Sequence, residues 1–305
     1  MTEETSKTVE ADQIRQNLTT RHQWGFYNSH RQAMERLIVP ADHAGRICVL
    51  GAGNCNDLDL QWLGTVYREI HLVDLDHQAI AEAATRQKVR NPAQFKLHAP
   101  VDLTGISDLV AEWNIKIPDD KSIAKAIGVV RKMNSAAASV WDNSPAAVDL
   151  VLSPCVLTQT INPARNALRD HFPLQHPLRI QLRDALITRH LKLMTRLLRK
   201  GGKGVLAVDL ISQEHFSDLA RVPENELSAL FAKYVSENKH YPGLDPESFN
   251  RIRECDSELY SSISRCELRG IWRWHLGLRK CFVVYGLVFE KLIDPVTQPA
   301  VFDVR

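Results

Sequence analysis

The stretch Ile47-Cys48-Val49-Leu50-Gly51-Ala52-Gly53-Asn54-Cys55-Asn56-Asp57, followed by the apolar run Ile70-His71-Leu72-Val73 that ends on Asp74, decides the fold. A buried strand that runs into Gly-Ala-Gly lets the backbone turn sharply and come close to a ligand, because glycine has no side chain and tolerates positive φ. Asp74 stands twenty-one residues after Gly53. An acid at about that distance, at the tip of the next strand, accepts hydrogen bonds from both hydroxyls of a ribose. The two signals together point to a nucleoside-containing ligand.

Which nucleoside follows from what is missing. The dinucleotide fingerprint wants a small residue at its sixth position, where the helix packs closely and its amide end faces a diphosphate. That position is Asn56. Asn54, Asn56 and Asp57 suit a ligand with an ammonium and a carboxylate better than a diphosphate, which favours S-adenosyl-L-methionine over NAD. Two further runs continue the pattern. Phe95 to Leu103 supplies a third strand tip with Asp102 followed by an apolar residue, and Val148-Asp149-Leu150-Val151-Leu152-Ser153 supplies a fourth that ends in small residues. After a helix rich in Leu and Arg, Gly201-Gly202-Lys203-Gly204 reads as a helix stop, and Val205 to Leu210 as a fifth strand. Leu268 to Leu276 and Cys281 to Phe289, joined by a turn containing Gly277, read as an antiparallel hairpin.

In these residues the chain resembles the class I, Rossmann-like, S-adenosyl-L-methionine-dependent methyltransferases. Their pattern is a glycine loop, an acid after strand two, Asp-apolar after strand three and Asp-x-Val-x-Ser on strand four. The likeness covers roughly residues 46 to 290. It departs at Val49, where the family often has an acid, and at Cys55, where a third glycine is common. It implies an α/β fold: a seven-stranded, mostly parallel, doubly wound sheet with an antiparallel C-terminal strand, helices on both faces and helical insertions. It also implies S-adenosyl-L-methionine as cofactor, with Gly51, Ala52, Gly53, Asn54, Asp74, Leu75, Asp102, Leu103 and Ser153 around it. Each assignment has a bland alternative: Asp74 as a helix cap, although Asp76 is the better cap, and Asp102 as an Asx turn.

The 305 residues, 44% of them apolar, suffice to bury a full core. Residues 1–12 are polar and read as a disordered start, 13–45 as a helical cap broken at Gly25 and closed by Pro40, and 46–292 as the methyltransferase domain. Insertions fall at about 104–147 and 212–266, with a tail at 293–305. Helices are expected over Ser107–Trp113, from Lys121 to about Ala138, and over the segment carrying Leu182, Leu186, Leu193 and Leu197 at helical spacing. A net charge of +2 offers no general hold on nucleic acid. The ten Lys and Arg between Arg165 and Lys203 read first as a solvated helix face and second as a phosphate contact. The six cysteines have no metal-ligand spacing. With no apolar stretch of membrane-spanning length, the expectation is a cytoplasmic chain with reduced thiols, no metal and no membrane partner.

Methyl transfer from a sulfonium is a direct displacement, so no catalytic triad is required, and a base is needed only for a protonated acceptor. His30, Tyr27 and His215, with Tyr241 and Trp272, are the candidates near the pocket rim. His71 and His98 lie on strands and read as core histidines. Cys155 follows Pro154 after strand four, as the nucleophile of pyrimidine C5 methyltransferases does. Its neighbours Val156-Leu157-Thr158-Gln159 fit the small-molecule pattern instead. A small-molecule acceptor is therefore the leading reading. An NAD-dependent oxidoreductase and a non-catalytic S-adenosyl-L-methionine-binding protein stand as alternatives.

Overall fold

The computed structural model describes residues 9–38, 45–132, 147–276 and 280–294. Four strands whose residues are almost continuously buried, β1 (Arg46–Leu50), β2 (Glu69–Val73), β4 (Val148–Pro154) and β5 (Leu198–Ser212), form the centre of one sheet. Burial on both faces is what parallel strands under helical layers require. With β3 (Phe95–His98), β6 (Glu267–Leu276) and β7 (Lys280–Glu290), the order is β3-β2-β1-β4-β5-β7-β6. β3, β2, β1, β4 and β5 run parallel, and β7 is antiparallel to both of its neighbours. The dinucleotide-binding sheet is parallel throughout in the order 3-2-1-4-5-6. Here an antiparallel strand enters between strands five and six, as the expected terminal hairpin demands.

Helices cover both faces. On one lie α2 (Asn28–Leu37), α3 (Leu60–Val66) and α4 (His77–Arg86), while α1 (Val9–Thr20) crosses the sheet's carboxyl edge, with Val9 packed against the core of the other face. On the other lie α5 (Ser107–Trp113), α6 (Asp120–Lys132), α7 (Val156–Leu168) and α8 (Pro177–Leu197). The insertion after β5 adds α9 (Leu227–Ser236), α10 (Pro246–Cys255) and α11 (Ser257–Ser262) to that second face. Sequence sets the starts: Asp59, Asp76, Asp245 and Asp256 each accept an amide three residues on, as N-caps. Leu182, Leu186, Leu193 and Leu197 are buried along α8 as their spacing requires.

Several local features of the structure differ from the sequence expectations. The helix begins at Val9, inside the stretch read as disordered; residues 1–8 lie outside the described residues. A 3-10 turn, Trp24–Tyr27, replaces continuous helix between α1 and α2. β3 ends at His98, before a cis Ala99-Pro100 bond. The glycines at 201–204 do not stop a helix: α8 ends at Leu197, and β5 runs straight through them. α6 ends at Lys132; the rest of that expected helix, Pro40, Gly277 and residues 295–305 lie outside the described residues.

Candidate active site

The parallel strands end on one edge, and the order reverses between β1 and β4, the crevice where open α/β sheets bind ligands. A cleft opens there on the β1-β2-β3 side, with about 450 Å³ of free space, its mouth included. Gly51, Asp74, Leu75, Asp102 and Leu103 line it together with Val101, Thr104, Ser107, Val156, Gln159 and Thr160, and α1 contributes Val9 and Gln13. Gly51 turns with φ +70, and a Cβ there would lie 2.1 Å from Cγ2 of Val156. Only glycine lets the β1 loop pass under α7 at this point.

Asp74 is the buried charge of the cleft, 4% exposed. Its Oδ2 accepts from the Gly53 amide at 2.7 Å and its Oδ1 from the Asp76 amide at 2.9 Å. Burial pushes its pKa up to about 6, against the pull of those two amides. Each oxygen retains a lone pair for a further donor. Asp76 caps α4 through the Ala79 amide. Asp102 accepts from the amide and hydroxyl of Thr104, both at 2.7 Å, and from the Ser107 amide at 3.2 Å. It therefore makes an Asx turn while lining the cleft.

Four residues assigned to the cofactor do not line the cleft. Ser153 is wholly buried, and its hydroxyl pairs with Nε2 of His190 at 2.8 Å, on the α8 side of the sheet. Asn54 donates to the Asn17 carbonyl and the Thr20 hydroxyl, and Asn56 to the Thr20 carbonyl. These two amides hold α1 over the loop instead of reaching for a ligand. Ala52 and Gly53 shape the turn, and Asn17 of α1 rests beside Gly53 while its Nδ2 donates to Asp76. Position in the sequence put these side chains at the loop. Packing turned the two amides toward α1 and Ser153 toward α8.

On the β4-β5 side of the crevice lies a second polar cluster. Cys155 takes the left-handed turn between β4 and α7 with φ 51, its amide bonded to the Ala207 carbonyl. One turn later Thr158 donates to Oδ1 of Asp209 at 2.5 Å. Asp209 is 8% exposed, the one acid in an otherwise apolar strand run, Val205 to Ile211. That lone acid was the signal available in the sequence. Asp57 approaches His30. His30 Nδ1 accepts from Nε1–H of Trp272 at 3.0 Å, so the neutral ring carries its proton on Nε2, which faces Oδ1 of Asp57 at 3.3 Å. Burial, and the neighbouring Arg31 charge, hold His30 at about 3. The ring is neutral and its Nδ1 lone pair is taken by the indole, so it has no free lone pair to act as a base, and neither its Nε2 nor Oδ1 of Asp57 makes a hydrogen bond among the described residues. Burial pushes both Asp57 and Asp209 up to about 7, and the Asp209 charge adds to the rise at Asp57.

Tyr27 is buried edge-on against Trp274 of β6, and burial, followed by the charges of Asp57 and Cys155, raises its phenol. His215 bonds Ser212 and meets Tyr241 edge-on, away from the residues lining the cleft. His71 and His98 stack on β2 and β3, ring nitrogens 2.9 Å apart. The Cys155 thiol is 2% exposed, and burial raises its pKa, the opposite of an activated nucleophile. Among the described residues no group of His, Cys, Asp and Glu could hold a metal, and no helix is long and apolar enough to cross a membrane.

No protein-family model matches the sequence, and no curated protein matches it. Among solved structures, a putative methyltransferase from Bacillus halodurans is similar with 10% identity and a TM-score of 0.41, over 86% of this chain and 98% of that one. A SAM-dependent methyltransferase from Methanosarcina mazei is similar with 12% identity and a TM-score of 0.40, over 86% and 98% of the two chains. An O-methyltransferase family protein from Burkholderia thailandensis has 11% identity and a TM-score of 0.37 over 82% of this chain, which spans only 51% of that protein.

Proposed function

We propose that the chain is an S-adenosyl-L-methionine-dependent methyltransferase with a small-molecule acceptor. The observation that carries the reading is Asp74, a buried carboxylate presented to a cleft between a glycine turn and the Asp102 loop. The residues fit an adenosine: Asp74 for the ribose hydroxyls, Leu75, Val101, Leu103 and Val156 as apolar walls for the purine, and Asp102 at its polar edge. They do not fit a dinucleotide. The helix N-terminus that would face a diphosphate is α3, already capped by the carboxylate of Asp59, with Asp57 two residues earlier. Two acids there repel the group that the fingerprint is built to hold.

When bound, the cofactor supplies a methyl on a sulfonium, which activates it without help from the protein. The chain's part is alignment, exclusion of water and removal of a proton. The left-handed turn at Cys155 brings the start of α7 against the β1 loop, so that Val156 and Gln159 face the cleft and Thr158 faces Asp209. An acceptor entering from the β4-β5 side meets Asp209 and Asp57, whose pKa values near neutrality suit a general base for a protonated nucleophile. Thr158 orients Asp209 through its hydrogen bond, while Asp57 keeps Oδ1 unbonded.

Calorimetry tests the cofactor. S-adenosylhomocysteine should bind in the micromolar range, about 8 kcal/mol, and NAD should not compete. Binding of NAD without binding of S-adenosylhomocysteine would overturn the reading.

A further inference from the structure

A second cavity lies against another face of α7, between that helix, α8 and the loop before α10, with about 600 Å³ of free space including its mouth. Ile161, Ala164, Leu168, Leu182, Leu186 and Leu244 give it buried apolar walls. Its charged lining is Arg165, Arg179 and Arg183, and among the described residues no acid lines it. Nε and a terminal nitrogen of Arg183 are taken by Asp184, at 2.8 and 2.6 Å. Arg165 and Arg179 form no ion pair among the described residues.

These two cations are neighbours. They stand on packed helices, and after burial it is the charge of Arg165 that pulls Arg179 below its usual pKa. Arg179 is 8% exposed, with one terminal nitrogen on the Phe172 carbonyl. The Arg165 guanidinium lies over the Tyr241 ring, 4.8 Å from its centre. Like charges beside an apolar pocket repel each other, and an anion seated there relieves that repulsion. Apolar walls with a few polar groups at one end are the usual form of a small-molecule site.

The cavity also adjoins Asp209. Thr158, Asn162 and Arg165 follow at i, i+4 and i+7 along one face of α7. Arg165 therefore stands two turns, about 10 Å along the axis, beyond the Thr158 that bonds Asp209. From the other side, the Tyr241 amide bonds the carbonyl of Leu210, the residue after Asp209, at 3.1 Å. The Arg165 charge reaches that acid, opposing the rise that burial imposes on it.

We propose that this cavity binds an apolar molecule ending in a carboxylate, its body among the leucines and its carboxylate on Arg165 beside Arg179. A carboxylate matches the fork of one guanidinium, and the second cation adds to the hold. The place beside Asp209 makes this the recognition pocket for the methyl acceptor. That assignment rests on the methyl-transfer reading, whereas the binding itself does not.

The test is calorimetric titration of sodium octanoate into the full chain. One octanoate should bind per chain, with butyrate and octanol each about tenfold or more weaker and octylammonium unbound. Arg165→Met should weaken octanoate about tenfold or more while leaving octanol affinity and circular dichroism unchanged. Leu174→Asp, at a lining position that is 61% exposed, should weaken octanoate as well by setting a like charge at the pocket. No octanoate binding up to about 10 mM, octanol bound equally well, or octanoate affinity untouched by both variants would each overturn the proposal. Octanoate bound without S-adenosylhomocysteine would support the pocket and end its assignment to an acceptor. S-adenosylhomocysteine bound without octanoate would remove the pocket and leave the methyl-transfer reading standing.

Discussion

Replacing Asp209 by Asn separates what the buried acid does for stability from what it does for chemistry. The carboxylate is 8% exposed and is pushed from 3.8 up to about 7, chiefly by burial and against the Thr158 hydrogen bond. A folded-state pKa raised above the unfolded one favours the protonated folded form. Its stabilising contribution is fully present below about pH 4 and is lost as pH rises through 7. With both states ionised at pH 8, three pH units of lost proton affinity correspond to about 4 kcal/mol. Asp57 titrates in the same range and its charge adds to the same repulsion, so a measured difference of about 2 to 4 kcal/mol is expected. The amide introduced by Asp209→Asn would stay neutral and still accept the Thr158 hydroxyl. The variant should therefore be more stable at pH 8, with a melting temperature higher by roughly 5 °C, and the advantage should vanish near pH 4. Protonation of His30 in the unfolded chain destabilises both proteins alike and cancels. Thermal melts across that range provide the assay, and the same variant should lose about a hundredfold in methyl transfer. An Asn variant no more stable at pH 8, or one whose difference is flat with pH, would refute the reasoning.

Asp74→Ala should weaken S-adenosylhomocysteine binding by about 1.5 to 3 kcal/mol. It should also lower the stability of the free protein by about 1 to 3 kcal/mol, because the Gly53 and Asp76 amides lose their acceptor; normal ligand affinity in that variant would end the ribose assignment. Ser153→Ala strips His190 of its partner and should cost about 1 to 2 kcal/mol of stability, yet leave cofactor affinity within about twofold. A large affinity loss there would mean that Ser153 reaches the cleft after all. Cys155→Ala should retain methyl transfer and show no covalent adduct with a 5-fluoropyrimidine before or after the change. An adduct that disappears with the thiol would make the protein a base-modifying enzyme.

What could be read from the chain alone is whatever local sterics and periodicity control. The apolar run Ile47–Leu50, the run Ile70–Val73 interrupted by His71, the glycine turn and the twenty-one-residue spacing to Asp74 describe a strand, a tight loop, a helix and the next strand, all closed within one short stretch. The burial of Leu182, Leu186, Leu193 and Leu197 follows from spacing on a single helix. Side-chain direction at the tips did not follow, because it depends on what arrives from elsewhere. Asn54 and Asn56 turn toward α1, which presents carbonyls to them, and Ser153 turns to His190 since α8 crosses that face. The acid pair forms because β5 carries Asp209 to the edge beside the β1 loop. His30 loses its lone pair as a base because Trp272, 242 residues away, donates to its Nδ1. Such contacts are set by packing distant segments against one sheet, and no local pattern encodes which lone pair a distant indole will take.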